Sequence, residues 1–96
     1  RGCEPLIAVL KNPSELAGIR REAAFALGLI WTGKGMAALV EALRDPAAEV
    51  RRTAAEALGN LENPEAIGSL VAVLEDESEE VRREAEKALE RLRQIG

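Results

Sequence analysis

The chain has no histidine and no tyrosine, and a single cysteine, methionine, tryptophan and phenylalanine each among its 96 residues. Without histidine, and with one thiol, it offers no His/Cys metal cluster and none of the common nucleophile–base pairs. The lone Cys3 cannot close an internal disulfide and is expected to serve as a small apolar residue. Aromatic residues make up only 2% of the chain, so the core must be built from Ala, Leu, Val and Ile, which suits closely packed helices better than facing sheets. No apolar run reaches the length of a membrane span, and Arg1-Gly2-Cys3 does not read as a signal peptide. These two absences set the expectation of a cytoplasmic protein with no membrane partner. The sequence opens without an initiating Met, which sets the further expectation of a piece of a longer array. Excess positive charge is lacking too: the formal net charge is −4, so no surface suits phosphate neutralisation and no nucleic-acid partner is expected.

What is present is a repeat. GIRREAAFALGLI at 18–30 recurs as EVRRTAAEALGNL at 49–61 and as EVRREAEKALERL at 80–92. Ile19, Val50 and Val81 are therefore 31 residues apart, and a fixed period of this length marks a solenoid. A second pattern precedes each block: Leu6-Ile7-x-Val9-Leu10, Leu39-Val40-x-Ala42-Leu43 and Leu70-Val71-x-Val73-Leu74. The first of these lies 33 residues before the second, and the two extra residues fall between Lys11 and Gly18. Each unit thus predicts a short helix A near 4–11, 34–44 and 65–75, then a longer helix B near 13–31, 46–61 and 77–94. Asn12-Pro13, Asp45-Pro46 and Asn63-Pro64 predict helix starts with Pro at the first helical position. Asn12 with Glu15, and Asp76 with Glu79, have capping-box spacing, while Thr32-Gly33-Lys34-Gly35 leads into the remaining helix A. No segment alternates with period two, so no strand is expected.

The copies differ in an informative way. On a helical wheel with Val50 at zero, Ala54, Ala57, Leu58 and Leu61 fall within about −20° to +80° and should meet helix A of the same unit. Ala55 and Gly59 lie on a small-residue flank where the next unit should stack. In the third copy these positions become Glu86 and Glu90, which reads as a polar cap ending the array. The expectation is one domain over 1–96, with units of about 1–31, 32–62 and 63–96: an all-α, right-handed solenoid of three hairpins and six helices.

The pattern L-x-x-L-x-D-x-x-x-x-V-R-x-x-A-x-x-A-L-G-x-L, best seen at Leu39–Leu61, resembles the HEAT-like repeats of the phycobilisome-lyase type. The resemblance implies an inter-unit ladder between an aspartate at the inter-helix turn and an arginine early in helix B. Carried over, Asp45 and Asp76 are the acceptors and Arg51 and Arg82 the donors. Unit one has Arg20 but Asn12 in the aspartate's place, which predicts a weak first rung. Such repeats occur in scaffolds, assembly factors and a few enzymes. HEAT-like metalloenzymes rely on His-Glu motifs that a histidine-free chain does not supply, so no enzyme activity and no cofactor are expected. The resemblance alone also suggests an accessory subunit of a tetrapyrrole (bilin) lyase, and more weakly a HEAT-like nucleic-acid binder.

The leading expectation is a non-enzymatic protein–protein interaction module. Its B helices would present a ridge of Arg21, Glu22, Phe25, Leu29, Arg52, Thr53, Glu56, Asn60, Arg83, Glu84 and Lys87 to another protein. The acidic residues there read as a solvated face, and the recurring Arg-Arg pairs are interleaved with glutamates. Phe25 stands where the other copies have Glu56 and Lys87, and Leu29 where they have Asn60 and Arg91. The wheel is read as placing both opposite the flank that receives the next unit. Three readings stay open for them: packing on a preceding unit or the N-terminal segment, a homodimer interface at this apolar N-terminal face, or a patch for a foreign partner. Trp31 is expected to pack against Met36.

Overall fold

The structure is a computed structural model that describes residues 3–30 and 32–94, with nothing said of the Cys3 side chain. The expected contacts of Trp31 and of the Cys3 thiol lie outside the described residues. Six α-helices follow in order: α1 (Cys3–Lys11), α2 (Ala17–Leu27), α3 (Gly33–Ala42), α4 (Ala48–Leu61), α5 (Ile67–Val73) and α6 (Glu79–Arg93). A 3-10 turn at Pro64–Ala66 leads into α5, and no strand occurs among the described residues. The helices pair as α1–α2, α3–α4 and α5–α6, and the second helices α2, α4 and α6 pack side by side as the most extensive contacts of the stack. The result is a slab of 33 × 29 × 15 Å.

The starts of α2, α4 and α6 all lie further along the chain than the Asn-Pro, Asp-Pro and capping-box signals predicted. Asn12 Oδ1 accepts from the Ser14 N–H (3.0 Å), Asp45 Oδ1 from Ala47 (2.8 Å) and Asp76 Oδ1 from Ser78 (2.9 Å). Each side chain closes a local turn two residues on instead of capping the helix. The caps are then Leu16 and Ala47, with no side-chain bond, and Ser78, whose Oγ accepts from the Val81 N–H. This offset leaves the second carboxylate oxygen of each aspartate facing its neighbour unit. The signals at the first helices of units two and three act as predicted. Thr32 Oγ1 accepts from the Gly35 N–H at 2.9 Å, and Asn63 Oδ1 from the Glu65 N–H at 3.0 Å with Pro64 at the first helical position.

The core is aliphatic throughout. Leu27, Leu39, Leu58, Leu70, Leu92, Val50 and Val81 are the largest fully buried side chains. Between the second helices the packing relies on glycine. A Cβ built on Gly28 would lie 2.6 Å from Ala57 Cβ and 2.9 Å from Ala57 Cα, and one on Gly59 would lie 2.9 Å from Ala88 Cβ. Real carbon atoms do not approach so closely, so only glycine lets these backbones meet. Ala57 and Ala88 are one period apart, so the α2–α4 and α4–α6 contacts use the same register. In the third unit the corresponding Glu86 and Glu90 are exposed.

Helix ends differ between units. The last four-residue bond of α2 runs from the Gly28 N–H to Ala24, and Leu29 and Ile30 follow with bonds three residues back, to Ala26 and Leu27, that tighten the last turn. α4 runs through to Leu61 and ends on Glu62 in the left-handed region (φ 56°, ψ 35°). An L-residue there costs about 1–2 kcal/mol.

Candidate interaction surface

Two recurring features sit on the second helices, one facing inward and one outward. The inward one is the arginine–aspartate ladder. Arg20 grips Asp45 with two bonds, Nε to Oδ2 at 2.9 Å and Nη2 to Oδ1 at 2.9 Å. One period on, Arg51 grips Asp76 in the same fork, at 2.8 and 3.2 Å. None of the four side chains is more than 12% exposed. Each arginine also uses Nη1 to satisfy turn carbonyls of its own unit: Arg20 that of Glu15, and Arg51 those of Asp45 (2.8 Å) and Pro46 (3.1 Å).

The ladder runs forward, from the arginine of one unit to the aspartate of the next, and this corrects the sequence-based pairing in two places. Arg20 is a full donor, so the first rung is not weakened by Asn12, which has no arginine before it among the described residues. Arg82 is not a rung: it donates to the Asp76 backbone carbonyl of its own unit at 2.6 Å and makes no salt bridge among the described residues. The reason is stack order, since no further aspartate-bearing turn follows α6 among those residues.

Burial alone would raise the carboxyl pKa of Asp45. The hydrogen bonds from Arg20 and the Ala47 N–H, with the positive charges of Arg20 and Arg51, outweigh it and hold that carboxyl below its ordinary value. Asp76 is lowered in the same way by Arg51, the Ser78 N–H and Arg82. A carboxyl more acidic in the folded than in the unfolded chain contributes stability above the ordinary carboxylate range, and loses it as pH falls through the folded value. Urea midpoints should therefore be level near neutrality and fall steeply below about pH 4. Asp45→Asn and Asp76→Asn should each start lower at pH 7 and show a shallower acid decline. An acid decline as steep as wild type in both variants would remove the ladder as its source.

The outward feature is the ridge. Arg21, Glu22 and Phe25 of α2 line an open groove of about 280 Å³ with Arg52, Thr53 and Glu56 of α4. Between α4 and α6 a second open groove of about 470 Å³ is lined by Glu56, Gly59, Asn60, Glu84, Lys87, Ala88, Glu90, Arg91 and Gln94. Nine of the eleven expected ridge residues thus line one or other groove. Arg83 lines neither and pairs on the surface with Glu79 at 2.8 Å, and Leu29 projects into solvent at 65% exposure. Thr53 lines the first groove but is buried, because it sits one turn from Ala57 on the flank that α2 covers. Arg91, missing from the expected ridge, hydrogen-bonds Asn60 across the second groove. Its alignment with Leu29 and Asn60 was the signal that pointed to it.

Phe25 is 49% exposed. It does not lie opposite the receiving flank: it is only about 60° round the helix from Gly28, which brings it beside α4. The described residues of the N-terminal segment leave it exposed. Around it, Arg21 Nη2 pairs with Glu22 at 3.0 Å while Arg21 Nε is buried without a hydrogen-bond partner. Arg52 and Glu56 make no ion pair among the described residues. In the second groove, by contrast, Lys87 pairs with Glu84 and Arg91 with Asn60. The groove beside unit one thus combines apolar surface with unpaired charge.

No group of three or more His, Cys, Asp or Glu among the described residues is placed to hold a metal ion, and no helix is long and apolar enough to cross a membrane. Residues 3–93 match the family of HEAT repeats. Human deoxyhypusine hydroxylase, solved in complex with glycerol, superposes with a TM-score of 0.83 and 28% identity, over 95% of this chain and 32% of that one. An engineered protein superposes with a TM-score of 0.70 and 27% identity, over 95% of this chain and 45% of that one. The chain thus spans about a third of the hydroxylase and less than half of the engineered protein. Comparison with curated protein sequences finds no match.

Proposed function

Because the chain belongs to the HEAT-repeat family, whose members generally mediate protein binding, we propose that it is a non-enzymatic interaction scaffold whose α2–α4 groove receives another protein. The observation that carries this is the exposure of Phe25 at 49% and Leu29 at 65% on a ridge where the other units place charged or amide side chains. The buried ladder and the glycine contacts hold the second helices rigidly, so a partner meets a preformed surface and little ordering cost attends binding. Phe25 is the apolar anchor, and Arg52 and Glu56 supply polar contacts at its rim.

A bilin-lyase subunit and a phycobilisome-lyase subtype rest on the motif resemblance alone. Open grooves lined largely by charged side chains favour the protein partner over a pigment, which calls for an enclosed, mostly apolar pocket. Interleaved charge on the ridge likewise favours protein over nucleic acid.

The test compares immobilised wild type, Phe25→Glu, and Val71→Glu on exposed α5 as a control. A protein retained by wild type and the control is purified and titrated against all three. Phe25→Glu should weaken its binding at least tenfold, about 1.4 kcal/mol, while Val71→Glu leaves it unchanged. Equal affinity for wild type and Phe25→Glu sinks the assignment. A wild-type dimer in sedimentation that Phe25→Glu renders monomeric would instead make the partner a second copy.

A further inference from the structure

The flank of α2 turned away from α4 is built as a contact surface, yet nothing among the described residues covers it. Ala57 meets Gly28 and Ala88 meets Gly59, which identifies the side of each second helix that faces the preceding unit. One period earlier that side carries Ile19, Glu22 and Ala26 of α2, and Ile30 in the segment that follows it. Val50 and Val81 are 0% exposed where Ile19 is 44% exposed, and Leu61 and Leu92 are buried where Ile30 is only half-buried. Beside them Leu16 is 70% exposed. This edge shares only Glu22 with the groove beside Phe25, and its apolar residues lie outside that groove, so the inference does not depend on the proposed function.

The two contacts inside the stack state what such a flank accepts. In each case the covering helix presents arginine, alanine and glycine at four-residue intervals: Arg20, Ala24 and Gly28, then Arg51, Ala55 and Gly59. The chain's own far end cannot serve in a head-to-tail copy. There the positions of alanine and glycine hold Glu86 and Glu90, where even an added Cβ on Gly59 would come within 3.0 Å of its neighbour. Their carboxylates would also meet Glu22. Asn12 sits at the matching turn and holds the Ser14 N–H as Asp45 and Asp76 hold theirs. An arriving arginine would find an amide oxygen there, and a single hydrogen bond in place of the two-bond fork.

We propose that this edge docks one further repeat hairpin, leading into α1, whose second helix carries Arg-x-x-x-Ala-x-x-x-Gly on its contact side. A copy of residues 32–62 fused ahead of the full chain tests this, beside the same fusion with Ala55→Glu and Gly59→Glu made in the copy alone. The fusion with the small-residue flank should slow amide exchange across α2 at least tenfold, and the glutamate fusion should not. Ile19→Glu should abolish the slowing yet leave exchange in the unfused chain within twofold of wild type. Asn12→Asp should slow exchange further in the first fusion only. Equal exchange in α2 of the two fusions overturns the proposal. So does a copy that adds no helical circular dichroism, or an unfused dimer in sedimentation that Ile19→Glu dissociates.

Discussion

Arg51→Ala should lower the free energy of unfolding by about 3–5 kcal/mol, the range for a buried pair that loses one partner. Arg51 reaches three acceptors at once. Its fork neutralises Asp76 of unit three, and its Nη1 satisfies the carbonyls of Asp45 and Pro46 at the turn that starts its own helix. Truncation leaves a carboxylate, at most 12% exposed, with the Ser78 N–H as its remaining hydrogen bond among the described residues, and leaves two turn carbonyls short of a donor. Domains of this size have only about 5–15 kcal/mol in total, so the chain should be near its limit at room temperature. Arg83→Ala is the control: its partner Glu79 is on the surface, and the cost should stay below about 1 kcal/mol. Replacing both members, Arg51→Met with Asp76→Leu, should recover part of the loss, because the desolvation of two charges disappears with their attraction while the two turn carbonyls and the Ser78 N–H stay without partners. Urea denaturation of the four proteins decides it. A loss below about 1 kcal/mol in Arg51→Ala would mean that the ladder is ornamental and the helix contacts alone hold the units together.

Gly28→Ala should cost about 1–3 kcal/mol, the usual range for overpacking. Elsewhere in a helix the same change is favourable by about 1 kcal/mol, so the sign is diagnostic. The new methyl would sit 2.6 Å from Ala57 Cβ and 2.9 Å from its Cα, and backbone cannot swing aside as a flexible side chain can. The second helices must separate, which loosens the Arg20–Asp45 fork as well. Gly18→Ala, on the same helix with nothing within 4 Å of the added carbon, should be neutral or stabilising. The thermal midpoint should fall in Gly28→Ala and hold or rise in Gly18→Ala. A stabilised Gly28→Ala would show that the close approach of α2 and α4 is not what the glycine is for.

The residues that proved hardest to place from sequence share one cause: a flat helical wheel lacks the neighbouring helix. The period located the helices and identified the small-residue flank, because Gly28 and Gly59 recur at a spacing that only close packing explains. Family resemblance supplied the pairing of arginine with aspartate but not its direction. Arg20 enters the ladder and Arg82 leaves it because each arginine reaches the turn that follows in the stack. Phe25 lies beside α4, since about 60° from a flank where backbones nearly touch is still within a side chain's reach of the neighbour. Thr53 looked like surface and is buried by the helix before it. Asp45 and Asp76 looked like helix caps; their Oδ1 closes a local turn on the backbone, and both carboxylate oxygens still accept from the arginine fork. In each instance the residue type was legible and its partner was not, because the partner lies in a neighbouring unit.

The departures from the repeat carry the functional claim. Units two and three place charged or amide groups along the ridge, and unit one places Phe25 and Leu29 there on a frame that the ladder keeps stiff. The most direct measurement is amide exchange along the chain, free and saturated with a purified partner captured as above. Binding at the α2–α4 groove predicts slowed exchange concentrated around residues 21–30 and 52–60, with α3 and α5 unchanged. Slowing confined to α1, α3 and α5 would contradict it and move the interaction surface to the opposite layer.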